Sequence, residues 1–406
     1  MSSSPVSPGV DEAASASVLK PDFGAQRKHF IFTDEHEQLR ESIRRFAKKE
    51  LAPHAEEWEE TTFPDWVFTR MGELGLLGLD KPEAYGGQGG DYFTSLVLAE
   101  EIAHARSGGL AMGVAVHTDM AMPPILAFGS EEQKQEWVVP AIAGQKILCL
   151  GITEPDAGSD VSGIKTRAVR DGDGWVINGS KTYITNGLRA DGIVLVTKTD
   201  PDAGYEGFSL FLVPMDAPGV VREKRLEKMG MHASDTELLA FQDVRVPSTE
   251  LLGEEGKGFF HIMWELQGER LIGAAGCVAG AQLAFDQTLR YAQERKAFGR
   301  QIGSFQAIRH KFAEMATKIE TARQMVYTTA WRHSKGEYPV REISMAKLHA
   351  SRIAVEVADE CIQIHGGAGY MKEYGIERVW RDMRLNRIGA GTDEIMLDVI
   401  GRSYGL

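Results

Sequence analysis

The run WVINGSKTYITNG, residues 175–187, sets the organisation of the chain, because its alternating and β-branched residues are typical of a strand. Three more runs in this zone have the same character: GIVLVTKT at 192–199, GFSLFLVPM at 207–215 and TELLAFQDVRVP at 236–247. DGDG at 171–174 is a turn of the kind that joins two strands of a hairpin. These features predict an antiparallel β-domain over residues 147–255.

The zones on both sides of these strands have helical patterns. On the N-terminal side, Leu39, Ile43 and Phe46 recur at helical spacing behind Thr33, a suitable N-cap. After Gly256, long helical patterns with few turns continue to the end. The sequence therefore predicts an α+β multidomain fold, with an N-terminal α-helical domain over 27–146 and a C-terminal α-helical bundle over 256–406. The Ser-, Ala- and Pro-rich residues 1–26 predict a disordered tail.

Composition excludes some classes of function. The formal net charge of −13 over 406 residues argues against non-specific nucleic-acid binding, which needs clustered cations. The cysteines, Cys149, Cys277 and Cys361, lack metal-site spacing, which predicts buried reduced thiols and no metal. No run stands out as long and apolar enough to span a bilayer, and the N-terminus lacks the apolar core of a secretory signal. We therefore expect no membrane insertion and a cytoplasmic location.

Two motifs in the β-zone suit a flat, polar-edged ligand. LGITEPDAGSD at 150–160 offers the hydroxyls of Thr153 and Ser159 and a loop whose backbone amides can face ring acceptors or phosphate. An ordinary surface turn explains this stretch equally well. In KTYITNG at 181–187, a strand places Tyr183 and Thr185 on one face, where they could form a wall beside a cofactor. Alone, this run is an ordinary strand.

Two further motifs lie in the C-terminal zone. In ERKAFGRQIG at 294–303, Arg295, Lys296 and Arg300 around Phe298 could hold a pyrophosphate, although a solvated helix end is the simpler local interpretation. HGGAG at 365–369 places three glycines where a helical pattern stops, which suits close approach of the backbone to a ligand. A single histidine beside such a turn, here His365, is more often structural than catalytic.

Together, in this order and spacing, the four stretches resemble the acyl-CoA dehydrogenase family over essentially everything after the tail. The resemblance implies an FAD enzyme with an α/β/α fold, usually a homotetramer. Such enzymes convert an acyl-CoA into its trans-2-enoyl-CoA: a base takes the α-proton while the β-hydride passes to flavin N5. Electrons then usually pass to an electron-transferring flavoprotein.

The resemblance also assigns residues to the FAD site. Tyr183 would pack on the isoalloxazine and Thr185 would hydrogen-bond near N5, while Arg295, Phe298 and Gln306 would reach the FAD of a neighbouring subunit. The remaining implied FAD contacts are Leu150, Thr153, Ser159, Gln363, Gly366, Gly367, Thr392 and Glu394.

The run RIGAGTDEI at 387–395 departs from many family members, which carry the catalytic glutamate where this chain has Ala390. A second glutamate offers a replacement. Ile262, Leu266, Glu269 and Gly273 fall at +4, +3 and +4 steps, so Glu269 lies on an inward helical stripe. Desolvation there would raise its pKa toward the range useful for a base. A structural ion pair with a nearby arginine is an equally good interpretation of these residues alone.

The isovaleryl-CoA and long-chain branches of the family resolve this choice. In those branches the base lies on this helix in a Glu-Arg pair, and a small residue stands at the position of Ala390. This chain resembles them in both features. This resemblance implies that Glu269 is the base and that a branched or longer saturated acyl-CoA is the substrate. It places the backbone N–H of Ala390 on the thioester oxygen. The implied substrate contacts are Ser159, Phe260, Gln267, Arg270, Ala390 and Gly391.

Two other functions are compatible with the same fold. A flavin oxidase or monooxygenase would use dioxygen in place of the electron-transferring flavoprotein. A catalytically silent, FAD-bound interaction protein would explain Ala390 but not Glu269.

Overall fold

The computed structural model describes residues 29–406, so the predicted disordered tail at 1–26 lies outside the described range. The described part of the chain begins with eight helices, several joined by short π-helical or 3-10 turns: α1 (Asp34–Phe46), α2 (Ala55–Glu60), α3 (Trp66–Glu73), α4 (Tyr92–Glu101), α5 (Gly108–Ala115), α6 (Met122–Phe128), α7 (Glu131–Gln133) and α8 (Val139–Ile142). Thr33 caps α1 as predicted, since its hydroxyl oxygen accepts a hydrogen bond from the His36 backbone N–H at 3.3 Å.

One part of this helical zone corrects the expectation that no segment is long and apolar enough to cross a membrane. Gly108–Phe128, which comprises α5, a π-helical turn and α6, meets that test with a mean hydropathy of 1.2. However, 61% of the apolar 18-residue window within this segment is buried inside the protein. The core helix of a globular protein has the same composition, and packing accounts for the apolar residues here.

The four runs quoted from the sequence all form strands of one eight-stranded sheet: β1 (Leu148–Gly151), β2 (Arg167–Asp171), β3 (Gly174–Thr185), β4 (Gly192–Lys198), β5 (Phe208–Pro214), β6 (Val220–Arg225), β7 (Thr236–Pro247) and β8 (Leu251–Leu252). The order is β6-β7-β3-β2-β4-β5-β8, with β1 beside β4. The pairs β1–β4 and β2–β4 are parallel, so the sheet is mainly but not wholly antiparallel. Gly172, at φ 63°, makes the β2–β3 turn that DGDG predicts.

The C-terminal zone is a helical bundle, as predicted: α9 (Gly258–Glu294), α10 (Gln306–Ser334), α11 (Val340–His365), α12 (Ile376–Arg384) and α13 (Asp393–Arg402). A small hairpin of β9 (Lys296–Ala297) and β10 (Arg300–Gln301) separates α9 from α10. With 37 residues, α9 is about 55 Å long. The cysteines are buried and free, as predicted.

The length of α9 connects two cores. Near its start, Ile262 and Leu266 lie in one buried cluster with Val194 of β4. From Leu271 onward, its residues belong to the cluster that includes Leu96 of α4 and the inner faces of α10 and α11. Residues 267–270 therefore lie where the β-domain and both helical regions meet.

Candidate active site

Glu269 lies at this junction, on the inward face of α9. The residue is 9% exposed, as the apolar stripe predicts. Burial raises the pKa of its carboxyl to about 7, although the cations Arg270 and Lys347 act to lower it. A carboxyl with this pKa exchanges a proton readily near neutral pH.

Two cations hold the loop that contains Ala390. The Arg270 Nε donates to the carbonyl oxygen of Ala390 at 2.9 Å, and the Lys347 ammonium of α11 donates to the carbonyl oxygen of Gly391. Both cations also lie close enough to Glu269 to affect its pKa. The base candidate and the residue that stands in place of the usual glutamate are therefore neighbours in space.

The backbone of this loop is fixed in an unusual conformation. Ala390 has φ 55°, in the left-handed region that costs a residue with a Cβ about 1–2 kcal/mol, and Gly391 follows at φ 99°. Thr392 then caps α13, because its hydroxyl oxygen accepts a hydrogen bond from the Ile395 N–H at 3.3 Å. Strain of this kind persists only where the surrounding contacts enforce it.

Asp393, between the predicted FAD contacts Thr392 and Glu394, anchors the other side of the loop. It is 3% exposed and accepts hydrogen bonds from Arg387 at 2.6 and 2.9 Å and from Arg352 at 3.0 Å. These two arginines lower the pKa of its carboxyl against the opposing effect of burial. An acid in the first turn of a helix is common, so the local pattern does not indicate this anchoring contact.

Glu265, one turn before Glu269 on α9, is a second buried carboxyl that sequence reasoning missed. It is 2% exposed, and neither carboxylate oxygen has a hydrogen-bond partner among residues 29–406. Burial raises its pKa well above the ordinary value, and the negative charges of Glu269 and Asp119 raise it further. Burial and the neighbouring negative charges therefore favour the neutral form of the Glu265 carboxyl. The spacing in the sequence could have indicated this residue, because Glu265 lies four residues before Glu269 and the two acids therefore share a helix face.

The loop of the LGITEPDAGSD motif is attached to the sheet by a buried ion pair. Lys181 of β3 is 0% exposed and donates to the Glu154 carboxylate at 2.8 Å and to the Ile152 carbonyl oxygen at 3.0 Å. Glu154 also accepts hydrogen bonds from the backbone N–H groups of Lys165 and Thr166 at 2.7 and 3.0 Å. Burial lowers the pKa of Lys181 to about 8, against the effect of Glu154.

This attachment brings the first two motifs together. The Thr182 N–H donates to the Thr153 carbonyl oxygen at 2.8 Å, directly beside Tyr183. Of the predicted contacts in the loop, Leu150 and Thr153 are half-buried and Ser159 is exposed.

Tyr183 and Thr185 point away from the core, whereas Thr182 and Ile184 are buried, as strand alternation predicts. The strand is not regular, however. Its register with β7 shifts between Lys181 and Ile184, and Tyr183 has φ 60°. This bulge leaves the Tyr183 residue 69% exposed, an arrangement that sheets often use to aim a side chain at a ligand.

The third motif lies far from Glu269 of the same chain. Glu294, the last residue of α9, is 25 residues beyond Glu269, a distance of about 38 Å along the helix. Arg295 follows it, and Phe298, at φ 52° in the β9–β10 turn, is 95% exposed. Gln306, the first residue of α10, is also exposed. A single chain therefore does not bring these residues to the Ala390 loop.

The HGGAG turn ends α11 at His365. Gly366 adopts φ 60° and ψ −137°, and a side chain built at Gly366 or Gly367 would meet no atom within 4 Å. Gln363 is exposed beside them. His365 is buried, and its Nδ1 lies 2.8 Å from the Cys361 carbonyl oxygen. That hydrogen bond supports a structural role for the imidazole.

The other residues assigned to the ligand sites differ in exposure. Phe260 is 49% exposed in the first turn of α9, and Glu394 is exposed in the first turn of α13. Gln267 is 4% exposed and donates from Nε2 to the Met263 carbonyl oxygen at 2.9 Å. Its Oε1 is buried without a partner in the described part of the chain.

Comparisons with known proteins cover most of the chain. Family models for the N-terminal, middle and C-terminal domains of acyl-CoA dehydrogenase match residues 33–145, 149–244 and 256–405. A probable acyl-CoA dehydrogenase, YngJ, of Bacillus subtilis is 44% identical over 92% of this chain and 99% of its own. The pig mitochondrial long-chain specific acyl-CoA dehydrogenase is 41% identical over 96% of this chain and 90% of its own.

A solved structure gives the same result for the fold. The crystal structure of an acyl-CoA dehydrogenase from Geobacillus kaustophilus superposes with a TM-score of 0.91. It is 42% identical and covers 93% of this chain and 100% of its own.

Proposed function

Because the chain belongs to the acyl-CoA dehydrogenase family, we propose that its substrate is a saturated, branched or longer acyl-CoA and that Glu269 takes the α-proton. Membership makes the protein an oxidoreductase that dehydrogenates an acyl-CoA. The observation that supports the base is the position of Glu269: buried on α9, it shares its cationic neighbours with the Ala390 loop.

The residues present fit FAD, the cofactor of the family. Tyr183 offers an exposed aromatic face, and Thr153 and Thr185, both half-buried, offer hydroxyls. The open space at Gly366 admits a ligand close to the backbone. FAD bound here would accept the β-hydrogen of the substrate with its electron pair. We assign Leu150, Ser159, Gln363, Gly367, Thr392 and Glu394 to the same site.

In the proposed reaction, the Glu269 carboxylate removes a proton from the carbon next to the thioester carbonyl. That proton is weakly acidic, so the negative charge that develops on the thioester oxygen must be stabilised. The backbone N–H of Ala390 would donate to this oxygen, and no side chain is needed for that contact. Arg270 and Lys347 bind the carbonyls of residues 390 and 391, which holds this N–H in place.

The pKa of Glu269 gives a testable pH dependence. We expect kcat to fall about tenfold per pH unit below an apparent pKa near 7, since only the carboxylate form accepts the α-proton and burial holds the pKa of Glu269 at about 7. Initial rates at saturating substrate across the pH range would measure this limb. An apparent pKa near 4.5, the ordinary value for a glutamate, would contradict a buried base.

The hairpin after α9 supports an interlocked oligomer, and we propose a homotetramer in which Arg295, Phe298 and Gln306 contact the FAD of a neighbouring subunit. Arg295→Gln is expected to weaken FAD binding about 10- to 100-fold, the usual effect of losing a hydrogen bond to a charged group. Titration of the apoprotein with FAD would measure this change. Arg309→Gln, an exposed arginine of α10, is the control. Equal affinities in the two variants would contradict the assignment.

The remaining parts of the proposal concern acceptor, location and domains. We propose an electron-transferring flavoprotein as acceptor, as the family resemblance implies, and the cytoplasm as the default location. We propose domain boundaries at 146/147 and 255/256, which fall between α8 and β1 and between β8 and α9.

The proposed reaction is tested by mixing the FAD-loaded protein anaerobically with a panel of saturated acyl-CoAs that includes isovaleryl-CoA. Bleaching of the flavin band is the expected result, and the best substrate identifies the branch. Rapid reoxidation of the bleached flavin by air would favour the oxidase or monooxygenase alternative. No bleaching with any acyl-CoA would favour a silent binding protein.

A further inference from the structure

A cavity of about 820 Å³ has its lining on α9 from Ile272, three residues beyond the proposed base, onward. Ile272 and Gly273, within one turn of Glu269 on α9, line it together with Met120. Its lining on α9 continues to Arg290, which is 17 residues, or about 26 Å, beyond Gly273. The proposed proton transfer uses none of this space.

The cavity exists because α9 carries glycines on the face that lines it. A Cβ added at Gly273 would meet no atom within 4 Å, and one added at Gly276 would meet only the Ala99 carbonyl oxygen, at 3.9 Å. Across the cavity, the lining residues Ala115 and Met112 of α5 are apolar. The walls near the base therefore suit a chain of methylene groups rather than a polar ligand.

Part of the cavity lining is basic. Arg44, Lys48 and Arg106 line it and surround His104, whose pKa is lowered to about 4 by burial first and by these three cations, against the effect of Glu101. Arg44 binds Glu101 at 2.6 Å. Lys48 and Arg106 are exposed, and neither forms a salt bridge with any residue in 29–406. A cavity mouth with unpaired cations attracts an anion.

We infer that this cavity receives long acyl chains that end in a carboxylate, so that the preferred substrate class is the CoA monothioester of a long dicarboxylic acid. The inference rests on the proposed function, because the chain enters from the thioester held beside Glu269. The methylene groups lie along the glycine face of α9, and the terminal carboxylate lies at the solvated mouth near Arg106 and Lys48.

The test compares matched substrates: hexanoyl-CoA, hexadecanoyl-CoA and hexadecanedioyl-CoA with the FAD-loaded enzyme. The dicarboxylic substrate is expected to exceed hexadecanoyl-CoA about fivefold in kcat/KM, the effect of one exposed ion pair. In Gly276→Leu, the ratio of kcat/KM for hexadecanedioyl-CoA over hexanoyl-CoA is expected to fall at least about tenfold. The space at Gly276 and the better helix propensity of leucine favour folding of this variant.

A second variant tests the charge. Arg106 has φ 59°, so Arg106→Asn keeps a residue that tolerates this backbone conformation, and Lys48→Gln removes the neighbouring charge. With both changes, the rate ratio of hexadecanedioyl-CoA over hexadecanoyl-CoA is expected to fall to about one, while hexadecanoyl-CoA itself is still oxidised.

Two results would overturn the inference while leaving the proposed function intact: equal kcat/KM for the two long substrates in the wild type, or no change of the chain-length ratio in Gly276→Leu. The proposed function fails in a different way, with no flavin reduction by any of the three substrates, hexanoyl-CoA included. That outcome would overturn the inference as well.

Discussion

Replacement of Glu269 with glutamine is expected to lower kcat for acyl-CoA dehydrogenation about a thousandfold, the contribution of a well-placed general base. The amide has nearly the shape of the carboxyl, so the packing at the meeting point of the domains is preserved. It cannot accept the α-proton. Because Arg270 and Lys347 direct their hydrogen bonds to the carbonyls of residues 390 and 391, the loop keeps its structure in the variant. Steady-state turnover with a dye as electron acceptor measures the loss.

Glu265→Gln is the matched control, since it changes a buried carboxyl on the same face of α9. Burial raises the pKa of Glu265 well above its ordinary value, which favours the neutral carboxyl, and an amide resembles that form closely. We expect turnover to stay within about tenfold of the wild type. Equal losses in the two variants would mean that general disturbance of α9, and not removal of the base, explains the effect.

Replacement of Lys181 with methionine is expected to destabilise the protein by about 3–5 kcal/mol, because it leaves Glu154 buried without its counter-charge. Both side chains are nearly inaccessible, at 0% and 5% exposure. The pKa of Glu154, now lowered because Lys181 and hydrogen bonds outweigh the effect of burial, should rise in the variant. The pair exists only while Glu154 is ionised and Lys181 is protonated, so the destabilisation should be largest above the lowered pKa of Glu154 and below the pKa of about 8 of Lys181, and it should shrink as the pH falls through the pKa of Glu154. Denaturant unfolding at two pH values measures it.

Lys165→Met is the matched control, because Lys165 pairs with Asp156 in the same loop but both side chains are more than 70% exposed. Such surface pairs contribute about 0–1 kcal/mol. A destabilisation by Lys181→Met no larger than that of the control would show that the pair does not hold the loop. Loss of FAD affinity in the Lys181 variant would connect the pair to the ligand site.

Much of the fold was predictable because it rests on local patterns. The alternating runs at 175–187 and 236–247 became β3 and β7, and the turn at 171–174 formed as its glycines require. Burial of Glu269 followed from the stripe that also contains Ile262 and Leu266, because residues spaced by three and four share a helix face.

Other features depend on contacts between distant parts of the chain. Arg270 and Ala390 are 120 residues apart, and Lys347 reaches Gly391 from a third element, so no local pattern indicates either contact. The bulge at Tyr183 arises from a register shift against β7. The burial of the apolar stretch Gly108–Phe128 was not predictable for the same reason, because it depends on elements elsewhere in the chain that pack around it.

The central claim, that Glu269 replaces the carboxylate absent at Ala390, is tested most directly in a single anaerobic turnover. The FAD-loaded wild type and Glu269→Gln are each mixed with the best acyl-CoA, and the flavin band is followed. We expect bleaching in the wild type and none on the same time scale in the variant, with the variant retaining its full flavin absorbance. Bleaching at equal rates in both proteins would contradict the claim, because another residue would then remove the α-proton.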